Sequence, residues 1–317
     1  MRHLLGLQLL PATDLRELLS RTQRAKAGPA ASDPLASRPL AGRLVANLFF
    51  EDSTRTRNSF TAAAYALGAQ VIDLLGSSSS VNKGETLIDT ARNVEAMGVA
   101  AMCVRAKQSG SAAMIAKGSG CPVINAGDGK HEHPTQGLLD LFTIAESFDR
   151  LGSFDLSGLR VGIVGDVASS RVARSAIAGL LTLGATVTVV GPPGLVPGGL
   201  ASAASHDLDE VLPTLDAVMM LRIQFERHSD APPPQGAAVS RGSSIASVRE
   251  FRSFYALTAE REARMKPHAI IMHPGPINRG IELDADVADG PRSVILRQVS
   301  NGVFARTAAL AWCCEAH

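Results

Sequence analysis

Hydroxyl and guanidinium side chains are concentrated in residues 49–60, FFEDSTRTRNSF. The apolar run before them predicts a buried strand over residues 44–50, and the pattern after it predicts a helix over residues 54–67 with Ser53 as its N-cap. Backbone N–H groups and the positive end of the helix dipole meet at such an N-terminus. Hydroxyl groups and arginines in the same turn favour an anion site, and phosphate is the anion we expect. The alternative is an ordinary capped helix with solvated arginines.

Segments typical of strands alternate with segments typical of helices along most of the chain. This alternation predicts an α/β protein with two doubly wound parallel-sheet domains and a cleft between them. We place one domain at residues 1–150 and a second at residues 151–290, with a C-terminal helix in residues 291–317 that packs back on the first. The predicted strands are residues 44–50, 71–75, 99–104, 123–125, 160–164, 186–190, 217–221 and 270–272. The predicted helices are residues 14–24, 54–67, 86–97, 111–117, 137–148, 171–183 and 259–265.

A polar cluster follows each of six predicted strands. The clusters are Ser53-Thr54-Arg55-Thr56, Arg105, His133-Pro134-Thr135-Gln136, Arg171, Arg222 with Gln224, and His273-Pro274-Gly275-Pro276. Ligands of open α/β sheets bind outside the carboxyl ends of the strands, so we expect these clusters to line one crevice between the domains. A single arginine after a strand is more often a surface residue, but six clusters in the same relation favour a site.

The expected crevice is cationic. Its positive side chains are Arg55, Arg105, Arg171, Arg222 and Lys83. We identify no Asp or Glu at a strand end to pair with them. Guanidinium groups bind phosphate and carboxylate in a bidentate manner, so the pattern predicts a small substrate with several negative charges.

Three further features each have two interpretations. His133 is the natural hydrogen-bond donor or proton carrier of the site, or else a structural histidine. The polar loop at residues 77–86, which contains Ser79 and Lys83, is either part of the site or a solvated turn. The Pro-, Gly- and Ser-rich segment at residues 229–244 is either a lid or a slack insertion.

Composition argues against several classes of protein. A formal charge of +1 and an aromatic fraction of 4% do not suit a nucleic-acid surface. No apolar run approaches the roughly 20 residues needed to cross a bilayer, and the N-terminus lacks a signal-peptide cleavage pattern. The four cysteines show no C-x-x-C spacing, so we expect no disulfide, no metal and a cytoplasmic location. The turn at residues 162–166 lacks the third glycine of a dinucleotide site, and a P-loop is absent, so we expect no cofactor.

Six blocks of the sequence resemble the signature segments of aspartate carbamoyltransferase catalytic chains, in the family's order and over essentially residues 1–310. The blocks are FFEDSTRTRNSF, SSVNKGETLIDT, HPTQGLLDL, GDVASSRVARS, LRIQFER and MHPGPINRG. The S-T-R-T-R block is shared with ornithine carbamoyltransferases and indicates only the superfamily. The HPGPINRG block and the Arg-x-Gln of LRIQ indicate the aspartate branch.

The resemblance implies carbamoyl transfer from carbamoyl phosphate to the amine of L-aspartate, which gives N-carbamoyl-L-aspartate and phosphate and is the committed step of pyrimidine synthesis. The phosphate ligands that it implies are Ser53, Thr54, Arg55 and Thr56. It implies that Arg105 bridges the phosphate and the carbonyl oxygen and that His133 points at that oxygen. The carbamoyl NH2 is expected at Gln136 and the Pro274 backbone, within the segment Pro274-Gly275-Pro276. The aspartate carboxylates are expected at Arg171, Arg222 and Gln224. The resemblance also implies a homotrimer with shared active sites, in which Ser79 and Lys83 are lent by the neighbouring subunit.

Two other functions stay open at this point: transfer to another amino acid such as ornithine, and a non-catalytic homologue that serves as a scaffold for a partner enzyme. The sequence does not say whether trimers join regulatory chains or a dihydroorotase, nor whether nucleotides regulate them. Asp52 and Ala168-Ser169 depart from the residues common in the family, which bears on the affinity for aspartate.

Overall fold

The computed structural model describes residues 1–28, 35, 38–75, 85–223 and 247–315. The chain divides into two compact units, Met1–Phe154 with Val299–His317, and Asp155–Gln298. Each unit contains its own sheet, and every strand pairing in both sheets is parallel within the described residues. The prediction of an α/β protein with parallel sheets is confirmed.

The first unit is built on a four-stranded sheet in the order β2-β1-β3-β4. Its strands are β1 (Leu44–Phe49), β2 (Gln70–Leu75), β3 (Val99–Ala106) and β4 (Val123–Asp128). Its helices are α1 (Ala12–Ala27), α2 (Thr54–Ala66), α3 (Leu87–Ala96), α4 (Ser111–Gly118) and α5 (Pro134–Ser147). Every residue of β3, a central strand, is buried, and so is every residue of β4, although β4 is the last strand in this order.

The N-terminal segment extends this sheet beyond the predicted strands. Leu4 bridges Ile124 in the parallel sense. Its N–H donates to the carbonyl of Val123 at 3.0 Å, and its carbonyl accepts from Asn125 N at 2.9 Å. A bridge of one residue has no alternating pattern, so the sequence alone did not reveal it.

The second unit is built on a five-stranded sheet in the order β7-β6-β5-β8-β9. Its strands are β5 (Arg160–Val164), β6 (Thr186–Val190), β7 (Ala203–Ser205), β8 (Ala217–Met220) and β9 (Ile270–Met272). Its helices are α6 (Arg171–Thr182), α7 (Leu208–Val211), the 3₁₀ turn Leu212–Thr214, α8 (Val248–Tyr255), α9 (Ala259–Glu262) and α10 (Ala285–Ala288). Five of these elements were not predicted: β7, α7, the 3₁₀ turn, α8 and α10. Four of the five are only three or four residues long, which is too short for a periodic signal.

The last helix, α11 (Ile295–Cys314), is the longest helix in the described part of the chain. It contacts α1 within the first unit at two points: Trp312 Nε1 donates to Glu17 Oε2 at 3.3 Å, and Lys26 Nζ donates to Asn301 Oδ1 at 2.8 Å. None of the helices in the described residues is long and apolar enough to span a membrane.

Candidate active site

The first turn of α2 has the form that the sequence predicted for an anion site. Ser53 is the N-cap, in an extended conformation with φ −163° and ψ 94°, and its side chain makes no capping hydrogen bond. The first turn contains no acidic residue. Thr56 is buried there, whereas Thr54 and Arg55 are exposed. The N–H groups of this turn have no acceptor within the helix and can therefore bind an anion.

Arg105 lies at the carboxyl end of β3, beside the end of β1, from which the chain continues into this turn. The pairing of β1 with β3 aligns Phe49 with Arg105, and Phe50 N donates to the Arg105 carbonyl at 2.8 Å. The guanidinium is buried, and its Nη1 donates to the carbonyl of Ala126 at 3.2 Å. Arg105 therefore connects the loop after β1 to the end of β4.

An acidic partner of Arg105 corrects one expectation. Arg105 Nη2 donates to Glu51 Oε1 at 2.8 Å. We expected no carboxylate at the strand ends to balance the arginines, and that expectation was wrong. Glu51 is only two residues beyond β1, and the adjacent strand β3 brings Arg105 to the same height in the sheet. Glu51 lies two residues before Ser53 in the sequence, but only the pairing of β1 with β3 brings Arg105 to it.

His133 and Gln136 lie at the N-terminus of α5, after β4. The helix begins at Pro134, three residues before the predicted start at residue 137. Proline suits the first helical turn because its φ is preset and its missing N–H needs no acceptor there. His133 is the N-cap residue and is buried. The side chain of Gln136 is also buried, and its Nε2 donates to Asp140 Oδ1 at 3.0 Å.

The residue before His133 anchors it to the N-terminal segment. Both carboxylate oxygens of Glu132 accept backbone hydrogen bonds, from Leu7 N at 2.7 Å and from Gln8 N at 3.2 Å. Glu132 is buried and has no counterpart in the predicted site. A carboxylate that binds two backbone N–H groups restricts the path of its own main chain and therefore of His133.

In the second unit, the predicted clusters follow β5, β8 and β9, which are neighbours in the sheet. Arg171 is the first residue of α6 and is buried, and Ser170 caps that helix by accepting from Ala173 N at 3.1 Å. Arg222 lies two residues beyond the end of β8 and is partly buried. Parallel neighbours end at the same edge, so these clusters share the carboxyl edge of one sheet.

Ala168 and Ser169, which differ from the residues common in the family, lie in the turn before α6. Ser169 is buried, and its N–H donates to Asp166 Oδ1 at 3.1 Å. The N–H of Ala168 donates to the carbonyl of Leu195 at 2.9 Å. Asp52, the other departure, is exposed.

The segment after β9 is held by a buried pair that the sequence reasoning missed. His273 Nε2 lies 3.1 Å from Glu282 Oε1, and both side chains are 0% exposed. Gly275 N donates to His273 Nδ1 at 2.8 Å, so the proton of the imidazole is on Nε2 and is donated to Glu282. This pair holds the turn that contains Pro274, Gly275 and Pro276.

Three of the predicted site residues, Ser79, Lys83 and Gln224, lie outside the described residues, as does the predicted lid at residues 229–244. The clusters of each unit lie at the carboxyl edge of that unit's sheet. Their assembly around one cleft stays a prediction.

The structure also indicates which kinds of chemistry the described residues offer. No group of three or more His, Cys, Asp or Glu side chains among them could hold a metal ion. Burial raises the pKa of the Cys103, Cys121 and Cys313 thiols, and it raises that of Cys314 to about 11. These thiols are therefore protonated at neutral pH and are poor nucleophiles.

Comparison with known proteins places this site in a family. Residues 2–146 match the model described as aspartate/ornithine carbamoyltransferase, carbamoyl-P binding domain, and residues 157–313 match the Asp/Orn binding domain of the same family. These two matches, on a chain with two parallel-sheet units, place it in the class of carbamoyltransferases.

The similarity extends over the full chain. The aspartate carbamoyltransferase catalytic subunit of Myxococcus xanthus is 51% identical, with 99% of each chain covered. The corresponding subunit of Rhodospirillum rubrum is 50% identical, with 98% of this chain and 92% of the relative covered. More particularly, then, the chain belongs to the aspartate/ornithine carbamoyltransferase family.

Solved structures show the same fold. The aspartate transcarbamoylase of Trypanosoma cruzi in complex with carbamoyl phosphate and aspartate has a TM-score of 0.83 at 28% identity, with 99% of this chain and 96% of that chain covered. The ornithine carbamoyltransferase of Pyrococcus furiosus has a TM-score of 0.82 at 29% identity, with 98% and 96% covered. The fold alone therefore does not separate the two acceptor amino acids.

Proposed function

We propose that this chain transfers the carbamoyl group of carbamoyl phosphate to the amine of L-aspartate, a step of pyrimidine synthesis. The products are N-carbamoyl-L-aspartate and phosphate. The observation that carries the proposal is the position of buried Arg105 beside the acid-free first turn of α2. The full-length identity of 51% to an aspartate carbamoyltransferase catalytic subunit supports the same reaction.

The donor site lies on the first unit. The phosphate ligands in this proposal are Ser53, Thr54, Arg55 and Thr56. Arg105 reaches both the phosphate and the carbonyl oxygen, and His133 donates to that oxygen. Gln136 and the backbone of Pro274 bind the carbamoyl NH2.

The acceptor site lies on the second unit. Arg171, Arg222 and Gln224 bind the two carboxylates of aspartate. Guanidinium groups suit this role because their parallel N–H donors match the two oxygens of a carboxylate. Gly275 and Pro276 continue the turn that presents the Pro274 backbone.

The reaction needs no strong base from the protein. The amine nitrogen of aspartate attacks the carbonyl carbon, the carbon–oxygen bond to phosphate breaks, and the leaving phosphate accepts the proton that the amine loses. Negative charge develops on the carbonyl oxygen in the tetrahedral transition state. Donors placed around that oxygen, from Thr56, Arg105 and His133, stabilise it by roughly 3 kcal/mol each. Holding both substrates in place removes the entropic part of the barrier.

We also propose a cytoplasmic homotrimer in which Ser79 and Lys83 complete the site of the neighbouring subunit. Residues 1–150 with the helix at 291–317 form the carbamoyl-phosphate domain, and residues 151–290 form the aspartate domain. Exclusion of water from the reacting groups would strengthen these interactions. Higher assembly with regulatory chains or a dihydroorotase is compatible with this arrangement.

Ornithine is the second candidate acceptor, because the Pyrococcus furiosus ornithine carbamoyltransferase has the same fold. Two arginines at the carboxyl edge of the second sheet favour aspartate, since the side chain of ornithine is itself a cation. A scaffold without catalysis is a third candidate. The residues Arg105, His133 and Gln136, buried at the carboxyl edge of the first sheet, favour an enzyme over a scaffold.

A product assay separates these candidates. The purified chain is incubated with carbamoyl phosphate and either aspartate or ornithine, and the carbamoyl amino acid is measured. We expect N-carbamoyl-L-aspartate and no citrulline. Citrulline as the main product would favour ornithine, and no product with either acceptor would favour the scaffold.

Substitution of Arg222 then tests the acceptor site itself. We expect Arg222→Ala to raise the half-saturating aspartate concentration by roughly ten-fold or more, because a hydrogen bond to a charged group is lost. Arg264→Ala is the matched control. Arg264 is 46% exposed and precedes β9, so it lies toward the amino ends of the strands. An unchanged half-saturation in Arg222→Ala would contradict the assignment.

A further inference from the structure

The amide of Gln136 has a defined polarity. Gln136 is 8% exposed and Asp140 is 1% exposed, one turn further along α5. Their side chains are joined by a hydrogen bond from Gln136 Nε2 to Asp140 Oδ1 at 3.0 Å. A carboxylate only accepts hydrogen bonds, so the end of the amide that faces it has to be the NH2 group. The amide oxygen of Gln136 is therefore the end that is turned away from Asp140.

A buried arginine provides the positive charge near Asp140. Arg306 on α11 is 4% exposed, its Nη1 donates to the carbonyl of Gly302 at 3.0 Å, and its guanidinium lies 5.3 Å from the centroid of the Phe60 ring. Burial lowers the pKa of Arg306 to about 10, and the neighbouring Asp140 opposes that decrease. Arg306 is thus still a cation at neutral pH and attracts the carboxyl group of Asp140.

This polarity has a consequence for the donor substrate. The carbamoyl group carries an NH2 where an acetyl group carries a methyl, and the two have almost the same size. An amide oxygen accepts a hydrogen bond from NH2 and gains nothing from a methyl group. If the amide NH2 of Gln136 faced the substrate instead of the amide oxygen, two hydrogen-bond donors would face each other and no hydrogen bond could form.

We propose that Asp140, supported by Arg306, is a positioning residue that turns the amide oxygen of Gln136 toward the NH2 of carbamoyl phosphate and so selects a carbamoyl donor over an acetyl donor. This inference rests on the proposed function. Asp140 touches no substrate in this scheme and acts only through Gln136. The contribution of Gln136 to this selectivity arises within the first unit, since Gln136, Asp140, Arg306 and Phe60 all belong to it.

Two stable analogues measure this selectivity directly. Phosphonoacetamide presents an NH2 beside its carbonyl group, and acetonylphosphonate presents a methyl group in the same place. Both are titrated into the purified full chain by calorimetry without the amino-acid substrate. We expect the wild type to bind phosphonoacetamide roughly ten-fold more tightly, which corresponds to one good buried hydrogen bond. Gln136→Leu should remove the part of that preference that Gln136 supplies and leave the affinity for acetonylphosphonate within about two-fold.

The Asp140→Asn substitution tests the positioning role. The Arg306 guanidinium attracts the oxygen of the new amide, so its NH2 faces Gln136 and the Gln136 amide turns over. We expect the preference for phosphonoacetamide to fall by roughly ten-fold while acetonylphosphonate binding changes little. In the Gln136→Leu background, Asp140→Asn should change the ratio no further. Glu146→Gln is the matched control: it makes the same change of carboxylate to amide on α5, at a residue that pairs with Lys26 instead.

The outcomes distinguish this inference from the function on which it rests. If the wild type binds neither analogue, the proposed donor site is wrong and the inference fails with it. If it binds both equally, or if Asp140→Asn retains the full preference, the donor site stands and the inference is overturned. Should Asp140→Asn fail to fold, the analogue affinities of the wild type and of Gln136→Leu still decide whether the Gln136 amide oxygen accepts a hydrogen bond from the NH2 group.

Discussion

Glu51 accepts a hydrogen bond from Arg105 at 2.8 Å, although both residues belong to the region that we propose for a dianionic substrate. The side chain of Arg105 is 10% exposed and that of Glu51 is 22% exposed, so the pair is only partly screened by water. Arg105 also donates to the carbonyl of Ala126. The carboxylate thus competes with an incoming phosphate for the same guanidinium group.

Removal of the charge on Glu51 should therefore strengthen anion binding. We expect Glu51→Gln to bind inorganic phosphate roughly five-fold more tightly, equivalent to about 1 kcal/mol for a partly exposed ion pair. Asp52→Asn is the control, because Asp52 is exposed and adjacent in sequence and its removal changes the net charge by the same amount. Titration calorimetry at two salt concentrations measures both. Equal effects of the two substitutions would show that only net charge matters.

Except for β7, the described strands of both sheets were predictable from the sequence because they are short apolar runs, and β5, β6 and β9 have their predicted bounds. The start of α5 was not predicted correctly. The first turn, with Pro134 and Thr135, lacks the regularly spaced apolar residues of a helix. The sequence therefore indicated a helix only from residue 137 onward.

The residues that support the site were harder to predict than the residues of the site itself. Glu51, Asp140 and Glu282 each act through one particular neighbour, and those neighbours are separated from them by 54, 4 and 9 positions in sequence. Only the last two distances are local, and neither follows from a hydrophobic pattern. The pairing of strands in the folded sheet determines which acidic side chain contacts which basic one. No periodic pattern in a single sequence indicates these contacts.

The carboxylate of Asp216 should make the second unit sensitive to acid. It accepts from Arg160 N at 2.8 Å, from Lys266 Nζ at 2.6 Å and from His268 Nε2 at 3.0 Å. Burial by itself raises the pKa of Asp216, but the hydrogen bonds from Lys266, His268 and Arg160 N outweigh it and the pKa is lowered. The stabilisation is therefore present above the ordinary aspartate pKa of 3.8 and is lost as the pH falls through the lower folded value.

The substitution Asp216→Asn checks this sign. We expect the variant to be less stable than the wild type at neutral pH, with the difference shrinking as the pH falls below 3.8. Urea unfolding between pH 3 and pH 7, in steps of about one unit, measures the free energy of unfolding of each. A difference that stays constant over this range would contradict the linkage.

Replacement of Arg261 by lysine should destabilise the fold. Its guanidinium binds both oxygens of Asp209, at 3.0 and 2.9 Å, and also donates to the carbonyls of Ala256 at 2.7 Å and Ser253 at 2.9 Å. The hydrogen bond from Arg261 holds the pKa of Asp209 below its ordinary value. One ammonium group cannot make these four contacts, so we expect Arg261→Lys to lower the free energy of unfolding by about 3 kcal/mol.

Arg264 offers a matched control for that loss, since it contacts the same Asp209 from a side chain that is 46% exposed. We expect Arg264→Lys to cost about 0.5 kcal/mol or less, because exposed pairs contribute little. Both variants are compared by urea unfolding followed by circular dichroism. Similar losses for the two would mean that the burial of Arg261 is not what makes its contacts strong.

Glu282 should affect catalysis without affecting phosphate binding. Its Oε1 accepts from His273 Nε2 at 3.1 Å and from Asn278 N at 2.6 Å, while its Oε2 is buried without a hydrogen-bond partner among the described residues. Glu282→Gln removes the charge and places a buried NH2 where no acceptor lies, which costs about 2 kcal/mol and loosens the turn that contains Pro274. In the proposed site, the Pro274 backbone positions the carbamoyl NH2.

We therefore expect Glu282→Gln to lower kcat by roughly ten-fold or more, since small displacements of positioning groups have effects of that size. Phosphate binding should not change, because its proposed ligands lie on the first unit, whereas Glu282 belongs to the second. Glu260→Gln, which removes an exposed acid from α9, is the control for charge. A variant that melts at a lower temperature yet retains the kcat of the wild type would show that Glu282 stabilises the fold and does not position the turn.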